Sequence, residues 1–393
     1  MSNSLLTPTA VARETLRVLH EKATFIGTVN RSYDESFAKS GAKIGDTLKI
    51  RLPNQYTVRT GKTLNAQDTS EESVSLTVAT QKGVDMNFSS AELTMNLDDF
   101  SKRIIQPAIA VLISDIEASM LSTVTKDIYN AVGTAGTTPN SFLMFGQARA
   151  KLNQGLAPKD NRRRLQLDSV AMASMIDAGK GVFQDSSSVS EQYLEGMIGR
   201  AVGYDWYENE RVYSHLTGTD HTTVTVNDGA IASGDTTITT AGGNVTVGTV
   251  FTFSGDAVKA VHPETKASYA HDAQFVITAV NGNDWTFSPA IITSGAKQNV
   301  SKLPTTGAAI TLVGSASTTY PQHLAYHEDA FAFATADLEM PEGVHFSARE
   351  MLDGVSIRLV RQYDINNDNI PCRLDILHGF KTLRPQLACR ITG

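Results

Sequence analysis

A change of composition separates the middle of this chain from its flanks. No arginine occurs between positions 211 and 349, no methionine between 197 and 340, and no leucine between 216 and 303. Short β-branched runs fill the region and are separated by the turn sequences Asn-Asp-Gly, Ser-Gly-Asp and Asn-Gly-Asn. The clearest predicted hairpin has Phe275–Val280 and Trp285–Phe287 on either side of one such turn. Because tight turns between such runs are typical of all-β folds, the sequence predicts a small barrel or sandwich at about 217–315.

The sequence on either side of this module is richer in leucine, arginine and methionine and has helical patterns. The chain has 393 residues, enough for two or three domains. A domain can be inserted at an exposed loop when its own two ends lie close together. We therefore expect an α+β host fold with an inserted β module, and a host chain that resumes near Tyr320.

The segment Gly45–Thr80 predicts a long two-stranded arm. Apolar residues alternate with polar ones around Ile50 and again around Leu76, which is the period of a strand with one buried face. Between the strands lies the polar tip RTGKTLNAQDTSEES, which is too long for a tight turn. Because an isolated hairpin is only marginally stable in water, the arm is expected to lie on its own chain or on another copy.

Helical patterns precede and follow this arm. A long helix is predicted from about Asp98 to Ala131, with apolar residues every four positions and with Val111 on its buried face. Pro107 is expected to kink or interrupt it. Shorter helices are predicted at Thr9–Lys22 and Ser141–Leu156. Three strands are predicted after the insertion, at Ala330–Ala334, Val355–Val360 and Cys372–Leu377.

Charge and cysteine content exclude several classes of protein. There are 34 basic and 41 acidic residues, a net charge of −7, which disfavours a protein that grips phosphates. Cys372 and Cys389, the two cysteines, are read as reduced, buried side chains rather than as part of a disulfide framework. The N-terminus does not read as a secretory signal, and the longest wholly apolar stretch, 108–113, is too short for a membrane helix.

No group of residues predicts an enzyme, a cofactor site or a metal site. His323 and His327 stand four apart, but they lie in a strand-like run and are interpreted as exposed histidines rather than metal ligands. The run from Asp364 to Asn369 imitates the oxygen spacing of a calcium loop, yet it has asparagine where that loop needs glycine. We interpret it as a polar hairpin turn.

Arg162, Arg163 and Arg164 form the densest basic run in the host fold. A nucleic-acid contact would be favoured by interleaved aromatic residues, which are missing here. A solvated face or an ion-pairing subunit contact is therefore preferred. Two classes of function stay open from the residues alone: a self-assembling structural protein, and a surface adhesin or binding protein that presents an immunoglobulin-like β module.

The order of the segments resembles a known family. An N-terminal arm, an extended hairpin, a long helix and an α/β region follow one another as in tailed-phage major capsid proteins, whose fold is named after phage HK-ninety-seven. The ending, AYHEDAFAFATADLEMPEG followed by GVSIRLVRQYDINNDNIPCRLDILHGFKTLRPQLACRI, is similar to coat proteins of the P-twenty-two type, which also carry an inserted β-barrel domain.

The resemblance implies an α+β capsid fold with a defined domain order. The segments are an N-terminal arm at 1–42, an extended hairpin arm at 43–88, a spine helix of a peripheral domain at 89–132, a central domain at 133–216, the barrel at 217–315 and returning strands at 316–393. It also implies pentamers and hexamers that form an icosahedral shell around double-stranded DNA. Expected partners are other copies of the chain and, during assembly, scaffolding and portal proteins; DNA is enclosed without sequence-specific binding, and no membrane is involved. The virion is the expected location, preceded by the host cytoplasm.

Arms that lie across neighbouring copies need contacts to hold them there. The candidates for intersubunit ion pairs are the charged residues of the hairpin arm: Lys49, Arg51, Arg59, Lys62, Glu71 and Glu72. Each exposed pair of this kind is expected to contribute less than about 1 kcal/mol. Their strength in a shell would come from repetition over many interfaces.

Overall fold

The computed structural model of this chain describes residues 14–15, 23–32, 47–64, 66–67, 71–88, 106–179, 199–221, 224–344, 346–352, 355–366 and 369–393. The predicted N-terminal helix, Thr9–Lys22, lies outside this part except for two helical residues, and so does the predicted start of the long helix before position 106. The chain divides into two compact units. The first comprises Met1–Ile50, Ser73–Met120 and Phe331–Leu383, and the second comprises Arg51–Glu72, Leu121–Ala330 and Arg384–Gly393.

Both helices and strands occur among the described residues. The helices are α1 (Gln106–Asp127), α2 (Phe142–Gln154) and α3 (Ser169–Gly179). The first strands are β1 (Thr47–Arg51), β2 (Ser73–Thr77), β3 (Thr80–Phe88), β4 (Ala131–Gly133), β5 (Arg163–Leu167), β6 (Arg200–Ala201), β7 (Tyr204–Glu208) and β8 (Ser214–Leu216). Next come β9 (Val224–Val226), β10 (Thr237–Ala241), β11 (Val250–Thr252), β12 (Lys259–Val261), β13 (Ser268–Asp272), β14 (Phe275–Asn281), β15 (Asp284–Ser288) and β16 (Ala309–Leu312). The last are β17 (Thr319–His327), β18 (Phe331–Ala336), β19 (Phe346–Leu352), β20 (Val355–Arg361), β21 (Ile370–Thr382) and β22 (Ala388–Thr392).

The first unit contains a five-stranded antiparallel sheet of β3, β18, β19, β20 and β21. The long strand β21 pairs with β3, β18 and β20, and β19 lies beyond β20. The three strands predicted after the insertion are confirmed as β18, β20 and β21. Strand β3 falls within the range predicted for the hairpin arm, 43–88, but it belongs to this sheet.

Helix α1 has one buried face, as its apolar period predicts. Leu112, Ile116 and Met120 are almost fully buried. The expectation for Val111 is wrong: its side chain is 65% exposed, because residues two positions away from a buried one lie on the other side of a helix. Pro107 is the second described residue of this helix, so the predicted kink or interruption lies at the edge of the described residues and stays a prediction. Within the described residues α1 is also the one helix with the length and composition of a membrane span, but its buried face is typical of a core helix.

Residues 23–30, ahead of the hairpin arm, are held by contacts within the first unit. Glu117, a fully buried carboxylate of α1, accepts hydrogen bonds at its Oε1 from the N–H groups of Phe25 (2.7 Å) and Ile26 (3.1 Å). These N–H groups open a short 3-10 turn at Ile26–Thr28 that has no cap of its own. The backbone N–H of Asn30 donates to a carbonyl of β18 at 3.2 Å. The segment is therefore tied to both α1 and the sheet.

The second unit contains a seven-stranded mixed sheet with the order β4-β22-β17-β5-β7-β6, and β8 pairs with the start of β17. The predicted helix at Ser141–Leu156 is confirmed as α2. Ser141 caps it by accepting a hydrogen bond at its Oγ from the N–H of Leu143 at 3.2 Å, and Gly155 follows its last turn. Its buried face carries Phe145 and Leu152.

The predicted β module is a closed six-stranded barrel with the order β10-β15-β14-β11-β16-β9, in which every neighbouring pair is antiparallel. The predicted Asn-Gly-Asn hairpin joins β14 to β15, and Gly282 takes the positive φ of 62° that such a turn requires. Aromatic side chains fill the interior: Phe251 lies 5.6 Å from Phe275 and 6.0 Å from Trp285 between ring centroids. Aromatic and β-branched side chains thus supply most of this core, with Leu303 and Leu312 only partly buried beside it, which explains why the region has little leucine and no methionine.

The barrel enters and leaves the host at one point. Strand β8 runs into the barrel and pairs with the start of β17, which leaves it. Thr217 reinforces this pairing, since its N–H donates to the carbonyl of Thr318 at 3.0 Å. The two ends of the barrel therefore lie side by side, as an insertion into a loop requires.

Candidate assembly surfaces

The hairpin arm, defined as β1, β2 and residues 52–72 between them, has a buried base. Ile50, Leu76 and Val78 form one apolar cluster with residues of β18 and β21, all within the first unit. Gly379 of β21 allows this close approach, because a Cβ built there would lie 2.1 Å from the carbonyl oxygen of Thr77. The base of the arm therefore packs on its own chain, one of the two arrangements that the sequence left open.

Beyond the base, hydrogen bonds to the backbone hold the two sides of the arm together. The pairing of the strands continues past β1, since the N–H of Leu52 donates to the carbonyl of Glu72 at 2.8 Å. Further out, the side chain of Gln67 imitates a paired strand: its Oε1 accepts from the N–H of Thr57 at 2.8 Å, and its Nε2 donates to the Thr57 carbonyl at 2.6 Å. One glutamine thus orders the two sides of the tip.

Three large apolar side chains on the tip face solvent. Val58 is 94% exposed, Leu64 is 82% exposed and Tyr56 is 56% exposed. Single exposed apolar residues are ordinary, but several on one projecting loop are typical of an interaction surface. The tip therefore carries three apolar side chains that the described residues of its own chain leave exposed.

Three of the six candidate charged residues have partners within the second unit. Arg51 Nη1 lies 3.0 Å from Glu71 Oε2, and both side chains are largely exposed. Glu72 forms an ion pair with Lys297, which belongs to a loop of the barrel. No local sequence pattern points to Lys297, because it lies 225 residues from Glu72 along the chain.

The other three candidates lie at the surface without an ion pair among the described residues. Lys49 stands on β1, and Arg59 and Lys62 stand on the tip. The guanidinium of Arg59 donates to the carbonyl of Gly61, which holds it over the tip turn. Residues 52–64 and 66–67 of the tip carry these two cations and no acidic residue, whereas the later tip residues Asp68, Glu71 and Glu72 are acidic. The positive charge therefore belongs to the same part of the sequence as Val58 and Leu64.

The arginine triplet is largely part of the fold. Arg163 is 3% exposed and donates to the carbonyls of Ala157 (2.6 Å) and Pro158 (2.9 Å). Arg164 forms an ion pair with Asp205 on the adjacent strand. These contacts stabilise the start of β5, whereas the side chain of Arg162 stays 57% exposed beside Asp160 and Glu328.

The histidines expected at the surface are buried, so that part of the prediction is wrong. His323 and His327 lie on strand β17 as expected, but both are fully covered. His327 Nε2 is 2.9 Å from Asp160 Oδ1, and burial lowers the pKa of His323. Among the described residues, no group of three or more histidine, cysteine, aspartate or glutamate side chains is placed to hold a metal ion.

The remaining sequence interpretations concern a turn and two thiols. Asp364 and Asn369 bridge the turn between β20 and β21, so the polar hairpin is confirmed. Cys372 and Cys389 are free and buried, also as predicted. Burial raises the pKa of both thiols to about 12, which keeps them protonated and unreactive near neutral pH.

A sequence profile identifies the family of the chain. The profile described as "P22 coat protein - gene protein 5" matches residues 9–393, nearly the whole chain. The chain belongs to the P22 coat-protein family. It is therefore a tailed-phage major capsid protein, a structural protein of the virion that self-assembles into an icosahedral shell. The α+β capsid fold with an inserted barrel is confirmed, and no finding favours the adhesin alternative.

Solved phage capsids resemble this coat protein at low sequence identity. A protein of Mycobacterium phage Che8 is 11% identical with a TM-score of 0.47, and the match covers 94% of this chain and 90% of that one. The capsid of Ralstonia phage GP4 is 6% identical with a TM-score of 0.46 and the same two coverages. The CUS-3 coat protein I-domain is 26% identical over 25% of this chain and 100% of that domain, with a TM-score of 0.21. None of the curated protein sequences matches the coat protein.

Proposed function

We propose that the coat protein forms pentamers and hexamers in which the hairpin arm of each copy lies on a neighbouring copy. One observation carries this proposal: the base of the arm is buried against its own sheet, whereas the tip exposes Val58 and Leu64. A neighbour that covers these side chains would remove apolar surface from water at every interface of the shell. Because the same contact recurs in every copy, a weak individual contact suffices.

The charged arm residues have a secondary role in this arrangement. Lys49, Arg59 and Lys62 are the candidates to pair with acidic side chains of the neighbour, because Arg51, Glu71 and Glu72 already have partners in their own chain. Exposed pairs of this kind contribute less than about 1 kcal/mol each. They favour one register of the arm over others and leave most of the affinity to the apolar contact.

The same proposal extends to the other partners of the shell. The coat protein would assemble in the host cytoplasm with scaffolding and portal proteins, and it would enclose double-stranded DNA without reading its sequence. A net charge of −7 supports confinement of DNA rather than tight binding to phosphates. We assign the coat protein no catalytic activity and no cofactor.

A substitution at the tip tests the arm contact. Val58→Asp places a charge on the most exposed apolar side chain of the tip, so we expect at least a tenfold fall in the yield of closed particles. The unassembled chain should keep its thermal stability, because Val58 is 94% exposed. Particle yield by sedimentation and electron microscopy is the measurement.

Thr60→Asp is the matched control. It adds the same charge two residues away on the same exposed tip without removing an apolar side chain. The yield from this variant should stay within twofold of the parent. Normal particles from Val58→Asp, or equal losses from both variants, would contradict the proposed apolar contact.

A further inference from the structure

A buried arginine near the end of the chain joins three elements of the second unit. Arg390 on β22 is fully buried. Its Nη1 donates to the carbonyl of Gly248 at 2.6 Å and to Gln322 Oε1 at 2.9 Å. Its Nη2 donates to the carbonyl of Lys126 at 3.2 Å. Gly248 belongs to the barrel, Gln322 to strand β17 and Lys126 to the last turn of α1.

The chemistry of this site is unusual for a buried cation. Within the described residues no carboxylate forms an ion pair with Arg390; its two Nη atoms donate to carbonyl and amide oxygens instead, and its buried Nε has no hydrogen-bond partner among these residues. A buried charge is costly unless such groups replace its hydration. The carbonyls at the end of α1 are well suited, since a helix C-terminus carries partial negative charge. Burial lowers the pKa of Arg390 to about 10, so it stays charged near neutral pH.

The surroundings of Arg390 bring the barrel and the end of α1 into direct contact. Gly248 has a positive φ of 98°, and a Cβ built there would lie 2.8 Å from Cγ of Lys126. The ammonium of Lys126 lies 5.1 Å from the centroid of the Tyr213 ring. Glycine at 248 therefore allows a carbonyl of the barrel to approach both α1 and Arg390.

A second contact joins the barrel to the host just after the end of α1. The side-chain amide of Gln274 pairs with the backbone of Ala131, just after α1: Oε1 accepts from the Ala131 N–H at 3.1 Å, and Nε2 donates to its carbonyl at 2.8 Å. Val250 and Val276 of the barrel pack on Ala131 in a small apolar cluster. The barrel thus touches the host at more than its two connecting strands.

We infer that Arg390 makes the inserted barrel and the C-terminal end of α1 one rigid body. Without Arg390, the connecting strands β8 and β17 and the contacts of Gln274, Val250 and Val276 with Ala131 would hold the barrel, and these attachments still permit rotation about the line that joins them. Arg390 adds a fixed point from which hydrogen bonds reach both bodies at once, because its planar guanidinium offers donors in several directions. When the end of α1 moves in the shell, the barrel moves with it. This coupling goes beyond the proposed contacts of the arm and does not depend on them.

Distances between spin labels test this coupling in the full-length chain. One label pair joins α1 to the barrel, through cysteines at the exposed positions Thr123 and Asn283; the other joins α1 to α2, through Thr123 and Asn153. The native cysteines are buried and do not compete for the label. Labelled chain is diluted with unlabelled chain, so that only distances within one copy are measured.

Arg390→Met removes the hydrogen-bond donors of the guanidinium and fills the site with an apolar side chain of similar length. We expect the α1–barrel distance distribution to become at least twice as wide and the α1–α2 distribution to stay unchanged. Arg390→Lys should give an intermediate width, because one ammonium cannot reach all three acceptors. An unchanged α1–barrel distribution in Arg390→Met would overturn the inference, and so would equal widening of both distributions.

Gly248→Ala provides the test if Arg390→Met does not fold. This variant keeps the charge of Arg390. The added methyl group would clash with the side chain of Lys126, so the carbonyl of residue 248 has to move away from Arg390. The same selective widening of the α1–barrel distribution is expected. A distribution as narrow as that of the parent chain would overturn the inference.

Discussion

At the scale of single residues, buried polar side chains fix segments that have no regular structure of their own. Glu117 is the clearest case in the first unit, because one carboxylate oxygen satisfies the N–H groups of both Phe25 and Ile26. Without it, two buried donors at the start of the 3-10 turn would lose their acceptor. An unsatisfied buried donor costs about 1–3 kcal/mol.

Glu117→Ala is therefore expected to lower the free energy of unfolding by about 2–4 kcal/mol and to speed amide exchange at residues 25 and 26. Glu117→Gln keeps an acceptor oxygen and should lose less than half of that stability. Asp115→Asn is the matched control, since Asp115 lies on the same helix and pairs with Lys82 but is 64% exposed. The free energy of unfolding lost by Asp115→Asn should stay below about 1 kcal/mol. Equal losses from Glu117→Ala and Asp115→Asn in urea unfolding would refute this role of Glu117.

At the scale of elements, the hairpin arm depends on one close approach between strands. The carbonyl of Thr77 and the backbone of Val78 lie against Gly379 on β21. A methyl group at 379 would come within 2.1 Å of that carbonyl, so the backbone of the arm base would have to move. The position of the arm base thus depends on the absence of a side chain at Gly379 as well as on the apolar cluster beside it.

Gly379→Ala is expected to destabilise the chain by about 1–3 kcal/mol and to lower particle yield through a displaced arm. Gly146→Ala serves as the control, because that glycine lies inside α2 and an added Cβ meets nothing within 4 Å. Alanine there should be neutral or stabilising by up to about 1 kcal/mol. Urea unfolding measures both variants, and a Gly379→Ala chain as stable as its parent would refute the argument.

Periodicity explains which elements the sequence could predict. The alternation around Ile50 and Leu76, and the four-residue repeat of α1, report which side of each element is buried, and the structure confirms both. They do not report what covers the buried side, so the sequence alone does not decide whether the arm packs on its own chain or on another copy. Val111 shows the limit of a broad apolar stripe, since hydrophobic character alone did not reveal its exposure.

Charged and buried polar contacts were harder to predict than elements. The sequence identifies Arg51 and Glu71 as candidates, but their pairing with each other depends on the register of the arm. The pairs Glu72–Lys297 and Arg390–Gly248 join residues far apart in sequence, for which a single chain offers no local pattern. The two histidines of β17 are buried on a strand that β5 and β22 flank on both edges, a placement that no local sequence pattern reports.

At the scale of the whole molecule, buried histidines make the folded chain sensitive to acid. Burial lowers the pKa of His215 and of His378 to about 4, and nearby cations act in the same direction: Arg390 and Lys126 at His215, and Lys82 at His378. In the unfolded chain these side chains titrate near 6.5. Between the two values the unfolded state binds more protons than the folded one, so stability falls as the pH drops from about 6.5 to about 4.

Each of the two histidines should contribute roughly 1–2 kcal/mol to the loss of stability between pH 7 and pH 5. His215→Asn removes one titrating group and should reduce the pH dependence by that amount, whatever its effect on stability at pH 7. Urea unfolding of the unassembled chain at several pH values is the measurement. The same slope in parent and variant would show that His215 is not protonated on unfolding in this range.

The central claim is that the coat protein builds a shell in which each copy reaches onto the next with its hairpin arm. Electron cryo-microscopy of particles assembled from the full-length chain tests it most directly. We expect closed icosahedral shells of pentamers and hexamers, with Val58 and Leu64 of each arm covered by a neighbouring copy. Shells in which every arm tip stays exposed or folds back on its own copy would contradict it.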